Sequence, residues 1–180
     1  MKRKVRVDIE ELAMALDMDF PEQHNFLDLE TGEIVTYTDE FARELEDVYE
    51  EIYDEEGNRV ISLEEYLEGR DDPDWQKEVL RTIDRVELGY GERYIRVEPD
   101  DRHADYHDME RFIDTVEDPH LRDRLWNAIR GRGAFRYFRD VVAEHREVEE
   151  RWFEFKDERL QQRVRDWLAL RNIEPIGSED

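Results

Sequence analysis

The sequence predicts an α+β fold that is mainly helical, with an N-terminal β-hairpin among helices and then a compact C-terminal helical half. Two observations lead to this prediction. Apolar residues recur every three or four positions over most of the 180 residues, which is the spacing of amphipathic helices. In the segment 26–35, two short β-prone runs flank Thr31 and Gly32, and Gly32 can adopt the positive φ of a tight turn.

The elements of the N-terminal half can be assigned in chain order. The apolar residues within 9–16 lie on one helical face, and Asp8 with Glu11 predicts a capping box at the start of this helix. After the hairpin, the helical spacing returns over residues 39–52. It returns again behind Ser62, which is a second candidate capping residue.

The acidic segment 70–74 is the best candidate for a linker, because it combines charged residues with a proline. The pattern then predicts one more helix, followed by an alternating strand at 93–99. The chain is therefore predicted to divide into an acidic hairpin-plus-helix region (1–72), a helical region (73–176) and a tail (177–180).

The C-terminal half is predicted to be a run of closely spaced helices. Asp118 and Pro119 supply an N-cap and an N1 proline for one of them. The segment from Trp152 to Phe155 is interpreted as an aromatic anchor between the last two helices. The apolar stripes that define the helices are Met109–Val116, Leu121–Ile129, the set Phe135, Phe138 and Val142, and Leu160–Leu168.

The net negative charge of the chain disfavours nucleic acid and anionic membranes as partners. The charge is also unevenly distributed along the chain. With 51 acidic and 27 basic residues, the net charge of −24 repels nucleic acid and anionic membranes at long range. Residues 39–72 carry fifteen acidic and three basic residues, a net charge of −12, whereas 120–171 carry ten and thirteen, a net charge of +3. Only four basic residues are lysines, a bias that either a halophilic source or a GC-rich genome would produce.

The residue types that are missing also limit the function. The absence of cysteine excludes disulfides, thiol nucleophiles and thiolate metal sites. No segment approaches the roughly 18 apolar residues of a membrane span, and no apolar signal region follows the basic residues 2–4. We therefore expect a cytoplasmic protein without membrane contact or cofactor. Because no Ser-centred elbow, Walker loop or GxGxxG is present, an enzyme is the less favoured interpretation.

The segment 130–140 carries the strongest functional signal. Arg132, Arg136 and Arg139 have the i, i+4, i+7 spacing of one helical face. Gly133 leaves backbone amides open at the start of the next helix, where an anion is favoured. Cations in a first helical turn oppose the helix dipole, so a negative group is expected nearby. That group is either an external phosphate or carboxylate or one of the protein's own acidic side chains.

Three weaker signals have plain structural alternatives. Aromatic residues interleave with the arginines, as in single-strand nucleic-acid platforms, but they also have core spacing. Trp152 and Phe155 are interpreted as core packing, with a partner-binding groove as the alternative. His103 and His107 lie one helical turn apart, as two metal ligands would, but the zinc-protease Glu is missing and a solvated helix start explains the pattern equally well.

Five blocks of the sequence, taken in order, resemble a known family. They are Leu27–Ile34, Asp74–Glu78, Met109–Phe112, Gly131–Arg136 and Trp152–Glu158. The set resembles the bacterial Uncharacterised Protein Family numbered 0158, from about residue 5 to residue 174. The resemblance implies a small cytoplasmic bacterial protein without an established activity, and it supplies no catalytic residues. The paired histidines are not among the shared blocks.

These observations favour one function and leave two alternatives. The first is a non-enzymatic binding or adaptor module, in which the arginines hold an acidic group of a protein or of a phosphorylated small molecule. The second is a nucleic-acid-binding protein that uses residues 130–139. The third is a metal-dependent hydrolase that uses His103 and His107.

Overall fold

The computed structural model describes residues 2–18, 20–99 and 102–177, apart from the side chains of residues 102 and 103. Over these ranges the chain is mainly helical with a small sheet, so the predicted α+β class is confirmed. None of the helices within them is long and apolar enough to cross a membrane. The elements are β1 (Arg3–Val5), α1 (Ile9–Asp17), β2 (Gln23–Asp28), β3 (Ile34–Thr38), α2 (Asp39–Ile52), α3 (Leu63–Glu68), α4 (Asp74–Gly89), β4 (Tyr94–Val97), α5 (Arg102–Asp114), α6 (Pro119–Ala128), α7 (Ala134–Ala143), α8 (Arg146–Leu170) and β5 (Ile173–Pro175).

The chain divides into two compact units. Of the described residues, those up to 98 and those at 172–177 belong to the first unit, and those between 99 and 171 belong to the second. The described strands all belong to the first unit, together with α1 to α4. The second unit is formed by α5 to α8. The division thus falls after β4, and not at residue 72 where the acidic region was predicted to end.

The candidate linker 70–74 lies inside the first unit because its charges are bound there. Arg70 forms ion pairs with Asp72 and with Glu44 of α2, the latter at 2.8 Å between Nη2 and Oε1. Nζ of Lys77 donates a hydrogen bond to the backbone oxygen of Arg70 at 2.7 Å. These bonds tie the segment to α2 and α4, so its acidic, proline-containing composition marks a turn within one unit.

The predicted hairpin forms and gains a third strand. β2 pairs antiparallel with β3 on one side and with β4 on the other, which gives the order β3-β2-β4. At the turn, Gly32 has a φ of +80° and its amide donates a hydrogen bond to the backbone oxygen of Asp28 at 2.7 Å. A Cβ on Gly32 would lie 1.6 Å from the backbone oxygen of Arg6. Only glycine fits this position.

One face of the three-stranded sheet contributes to the core that contains α2, α3 and α4. Two helices of the first unit, α1 and α3, begin as predicted. Asp8 accepts hydrogen bonds from the amides of Glu10 and Glu11, and Ser62 accepts one from the amide of Glu65. The buried residues of this core are Phe26, Tyr37, Leu45, Val48, Ile52, Leu63, Leu67, Leu80, Ile83, Val86 and Tyr94.

A two-stranded parallel sheet in the first unit was not predicted. β1 pairs with β5, with Arg3 opposite Ile173 and Val5 opposite Pro175. Each strand has only three residues, which is too short for an alternating pattern to be recognised. The pairing brings the described ends of the chain together.

The second unit has an aromatic core of its own. Asp118 caps α6 by accepting hydrogen bonds from the amides of His120 and Leu121, and Pro119 occupies the first turn, as predicted. The buried residues are Met109, Phe112, Ile113, Val116, Leu121, Leu125, Ile129, Ala134, Phe138, Val142 and Trp152.

Two predicted details of these helices are wrong. Phe135 is 47% exposed, because α7 begins at Ala134 and its buried stripe is Ala134, Phe138 and Val142. The segment 152–155 does not lie between two helices. It lies inside α8, a continuous helix of 25 residues that contains no glycine or proline.

Candidate functional site

The connector between α6 and α7 positions the predicted arginines. Gly131 and Gly133 both have positive φ, +88° and +80°. Gly133 is the N-cap of α7 and has no side chain, so no side-chain hydrogen bond caps the helix. The first amides of α7 are therefore available to an anion.

Gly133 is also required by a close contact. A Cβ at this position would lie 3.0 Å from Cε2 of Tyr137, one turn further along α7. The amide of Tyr137 donates a hydrogen bond to the backbone oxygen of Gly133, also at 3.0 Å. The tyrosine ring thus covers the glycine, which serves both the left-handed turn and this approach.

The three predicted arginines are exposed, and only Arg136 forms an ion pair with another residue that the structure describes. Nε of Arg136 lies 4.0 Å from Oδ2 of Asp140, with the two side chains 79% and 66% exposed. An exposed pair of this kind contributes little. Neither Arg132 nor Arg139 forms an ion pair or a side-chain hydrogen bond with any described residue. Within the described chain, no carboxylate therefore supplies the counter-charge at these two positions.

An open groove of about 420 Å³ lies beside the connector, between α6 and α7. Asn127, Arg130 and Tyr137 supply hydrogen-bonding groups along it. Arg124 also lines the groove but forms an ion pair with Glu144 at 2.7 Å. The carboxylate of Asp140 also lines the groove, so the donors that can bind an oxygen-rich ligand are those of Asn127, Arg130 and Tyr137.

The surroundings of the connector are basic in a very acidic protein. Residues 119–139 contain six arginines and one aspartate, a net charge of +5, whereas the whole chain has −24. The i, i+4, i+7 spacing identifies only Arg132, Arg136 and Arg139. Arg130 was missed as a site residue because it falls outside that spacing, and the local charge count would have found it. Together, Arg130, Arg132, Arg136 and Arg139 are termed the arginine surface.

The comparisons with known proteins identify the family. The family model of the Uncharacterised protein family (UPF0158) matches residues 72–180, which is more than half of the chain and includes the arginine surface. The chain belongs to this family. A UPF0158 protein of Pseudomonas aeruginosa is 27% identical over 177 residues, covering 98% of this chain and 90% of the relative. No solved structure matches the chain. The resemblance carried by the five sequence blocks is therefore confirmed.

Trp152 and Phe155 of this UPF0158 chain lie in or against the core of the second unit. Trp152 is 6% exposed, and its ring centroid lies 4.8 Å from that of Phe138 and 5.1 Å from that of Phe112. Phe155 is half-buried and stacks on Trp152 at 6.1 Å. Burial leaves the indole little surface for a partner, so the partner-binding hypothesis depends on the half-buried Phe155.

The paired histidines are only partly visible. His107 is exposed, and its Nδ1 lies 2.8 Å from Oε2 of Glu110. The backbone of His103 belongs to α5, but its side chain lies outside the described residues. Among the side chains that the structure describes, no group of three His, Cys, Asp or Glu residues is placed to hold a metal ion.

Proposed function

We propose that this UPF0158 protein is a non-enzymatic binding or adaptor module whose arginine surface holds an acidic group. The group is a carboxylate of a partner protein or the phosphate of a small molecule. Both present anionic oxygens, which guanidinium groups bind with charge-assisted hydrogen bonds. The uncapped start of α7 adds backbone N–H donors, which also favour an anion.

The observation that carries the proposal is the lack of a carboxylate partner at Arg132 and Arg139 among the described residues. The protein has 51 acidic residues against 27 basic ones, so acidic side chains are abundant. Even so, Arg132, directly before the uncapped start of α7, and Arg139, in its second turn, are exposed and have no carboxylate partner among the described residues. A ligand with negative oxygens would satisfy both features at once.

Binding at this surface would need several contacts together. A single exposed ion pair contributes only about 0.2–1 kcal/mol, so one arginine cannot hold a ligand by itself. The net charge of −24 also repels anions at a distance. The proposal therefore favours a compact acidic group that reaches two or more arginines and the amides of α7.

A charge-matched pair of variants tests the proposal. Arg132→Glu with Arg136→Glu reverses two charges of the arginine surface. Arg146→Glu with Arg165→Glu reverses two exposed charges on α8 of the same unit. We expect the first double variant to lose the protein or small-molecule ligand that the wild type captures from cell lysate, and the second to retain it. The melting temperature of both should stay within about 2 °C of the wild type.

Two outcomes would contradict the proposal. If both double variants lose the ligand equally, the effect is one of net charge and not of this surface. If the first variant unfolds, the arginines are structural. Titration of the wild type with inorganic phosphate and with an acidic peptide, followed by amide chemical shifts of α7, distinguishes a phosphate from a carboxylate ligand.

One observation favours nucleic acid as a second candidate. Phe135 and Tyr137 are 47% and 54% exposed among the arginines, and single strands stack on such rings. The net charge still opposes this ligand. Gel shifts with single-stranded RNA and DNA at moderate salt decide it. A shift that Phe135→Ala abolishes would support the nucleic-acid function over small-anion binding.

The proposal includes a cytoplasmic location in a bacterium, and adaptation to a salty cytoplasm as one explanation of the acidity. The hydrolase alternative has a separate test. Metal analysis of the purified protein and thermal shifts with zinc or manganese would support it only if metal is bound and His107→Ala removes the effect.

A further inference from the structure

The first unit contains a small concave pocket that no pattern in the sequence predicted. Its volume is about 240 Å³, which is below the roughly 300–1,000 Å³ of pockets for drug-sized ligands. The pocket therefore suits a small molecule. The residues that define this aromatic pocket are His24, Phe26, Tyr37, Glu87, Tyr90 and Arg96.

The sheet register brings four of these residues to one face. His24 and Phe26 are two positions apart on β2, so they point to the same side. Tyr37 of β3 lies opposite His24, and Arg96 of β4 lies opposite Phe26. Residues opposite each other on antiparallel strands share a face. Glu87, near the end of α4, completes the pocket.

Aromatic rings form the walls of the pocket. Phe26 and Tyr37 stack with centroids 5.4 Å apart and an interplanar angle of 13°. Tyr90 stands edge-on to Phe26 at 6.2 Å and 81°. Phe26 and Tyr37 are buried, whereas Tyr90 is 60% exposed. An exposed ring at the mouth of an aromatic pocket offers a flat surface on which a planar ligand can stack.

The polar groups of the pocket have defined roles. Nε2 of His24 is hydrogen-bonded to Asp39, and Nη2 of Arg96 lies 3.3 Å from Nδ1 of the same ring. Because a guanidinium can only donate, Nδ1 accepts and the histidine proton is on Nε2. Tyr37 donates its hydroxyl proton to Oε1 of Glu87 at 3.3 Å. Burial and the nearby Glu87 raise the pKa of Tyr37, which keeps it a neutral donor.

These contacts leave N–H donors of Arg96 and an acceptor oxygen of Glu87 without a hydrogen-bond partner among the described residues. Nη1 of Arg96 and Oε2 of Glu87 make no hydrogen bond with the rest of the described chain. Arginine can only donate and an ionised glutamate can only accept. A matching ligand therefore presents an acceptor and an N–H donor on one planar ring system.

We infer that the aromatic pocket binds a nucleobase-like heterocycle, carried by a free base or a nucleoside. Purines and pyrimidines combine a stacking surface with adjacent acceptors and donors on one edge. The three carboxylates near the pocket, Asp39, Glu87 and Glu98, outnumber the two arginines, Arg96 and Arg43. This excess of negative charge disfavours a phosphate, so the ligand is a free base or a nucleoside and not a nucleotide. This site lies in the first unit and does not depend on the function proposed for the arginine surface.

Ligand titrations of the full-length protein test the inference. Guanosine, adenosine, uridine and cytidine are compared with guanosine 5′-monophosphate, benzoate and indole, using amide shifts of residues 24, 37, 90 and 96. We expect at least one nucleoside to bind, with the monophosphate, benzoate and indole at least tenfold weaker. If no nucleoside binds at millimolar concentration, or if indole or benzoate binds as well, the inference is overturned.

A matched pair of aromatic variants locates the site. Tyr90 and Trp75 are both 60% exposed in the first unit, and Trp75 does not line the pocket. Stacking of a base contributes about 1–3 kcal/mol, so Tyr90→Ala should weaken nucleoside binding about tenfold or more, and Trp75→Ala should not. Tyr90→Phe keeps the ring and should keep the affinity. The site would be overturned if the Tyr90→Ala variant still bound the nucleoside with the affinity of the wild type. It would also be overturned if Trp75→Ala weakened binding as much as Tyr90→Ala.

Discussion

Two turns of this protein combine a left-handed glycine with an arginine, and they treat the arginine in opposite ways. In the first unit, the carboxylate of Asp28 accepts hydrogen bonds from Nε and Nη2 of Arg93 at 3.1 and 2.7 Å. It also accepts one from the turn amide of Glu30 at 2.8 Å, and the Asp28 side chain is only 5% exposed. Gly32 closes this turn against the backbone of Arg6.

The connector of the second unit has the same glycine conformation without the carboxylate. Gly131 and Gly133 are left-handed, but Arg132 and Arg139 have no acidic partner among the described residues. A glycine turn with its own buried carboxylate, like that of Gly32 and Asp28, thus stabilises the fold. A turn that lacks one leaves its arginines available at the surface.

The largest expected effect is that of Gly32→Ala. The added Cβ would meet the backbone oxygen of Arg6 at 1.6 Å, and the positive φ adds strain. We expect a loss of about 4 kcal/mol or more in the free energy of unfolding, measured by urea denaturation. The control is Gly131→Ala, where no atom lies within 4 Å and only the strain of about 1 kcal/mol remains. Equal losses at the two glycines would contradict the difference between the turns.

Asp28→Asn should have the next largest effect. Asparagine keeps an oxygen for the turn amides but loses the charge that binds Arg93. Hydrogen bonds to charged groups contribute about 1.5–3 kcal/mol, so we expect a loss of about 2 kcal/mol by urea denaturation. Asp140→Asn at the connector removes only an exposed contact of 4.0 Å and should change stability by less than about 0.5 kcal/mol. A large effect at Asp140 would show that the connector is also held internally.

The effect of Asp28→Asn should depend on pH. Burial alone would raise the pKa of Asp28, but the hydrogen bond from Arg93 and those from the amides of Glu30 and Thr31 outweigh it and lower the pKa. The contribution of Asp28 is therefore present above the pKa of an unfolded Asp, about 3.9, and is lost as the pH falls towards the lowered value. The stabilities of wild type and variant should begin to converge as the pH falls below about 4, and should meet only below the lowered pKa of Asp28 in the folded protein. A gap that stays constant down to pH 2 would refute this.

Gly133→Ala should destabilise the connector by slightly more than Gly131→Ala. Both glycines have positive φ, but only at Gly133 would the Cβ contact another group, Cε2 of Tyr137 at 3.0 Å. The end of a side chain can move, so we expect about 1–2 kcal/mol in total. Adding Tyr137→Ala should remove the excess over Gly131→Ala. If the excess persists, its origin is not the tyrosine.

The smallest expected effect is that of Arg136→Gln. Its positive charge in the first turn of α7 opposes the helix dipole by a few tenths of a kcal/mol, and its contact with Asp140 is weak. We expect a gain of stability of about 0.3 kcal/mol at low salt, which disappears at 1 M salt. Arg93→Gln, in contrast, should destabilise the protein at both salt concentrations. Destabilisation by Arg136→Gln would indicate a structural role for the arginine surface.

Features that depend on neighbours in the sequence were predictable. The caps Asp8, Ser62 and Asp118 act on amides two or three residues ahead, so the short pattern contains the whole interaction. Gly32 was recognised because a tight turn between β-prone runs needs positive φ. The arginines around Gly133 were found for the same reason, since their spacing and the glycine lie within one segment.

Features that depend on distant contacts were not predictable. His24 carried no signal in the sequence, because Asp39 and Arg96, which define its role, come from α2 and β4. The exposure of Phe135 follows from the position of the first residue of α7, and a shift of one residue moves a side chain to another face of the helix. Short-range periodicity contains neither piece of information.

The pairing of β1 with β5 determines when the first unit can be completed during synthesis. Every residue of the second unit precedes Ile173, so Arg3 has no strand partner until the whole second unit has been translated. Folding of the second unit shortens the effective loop that must close before the two short strands meet. A nascent chain that stops before Ile173 keeps the edge of β1 unpaired and open to non-native association.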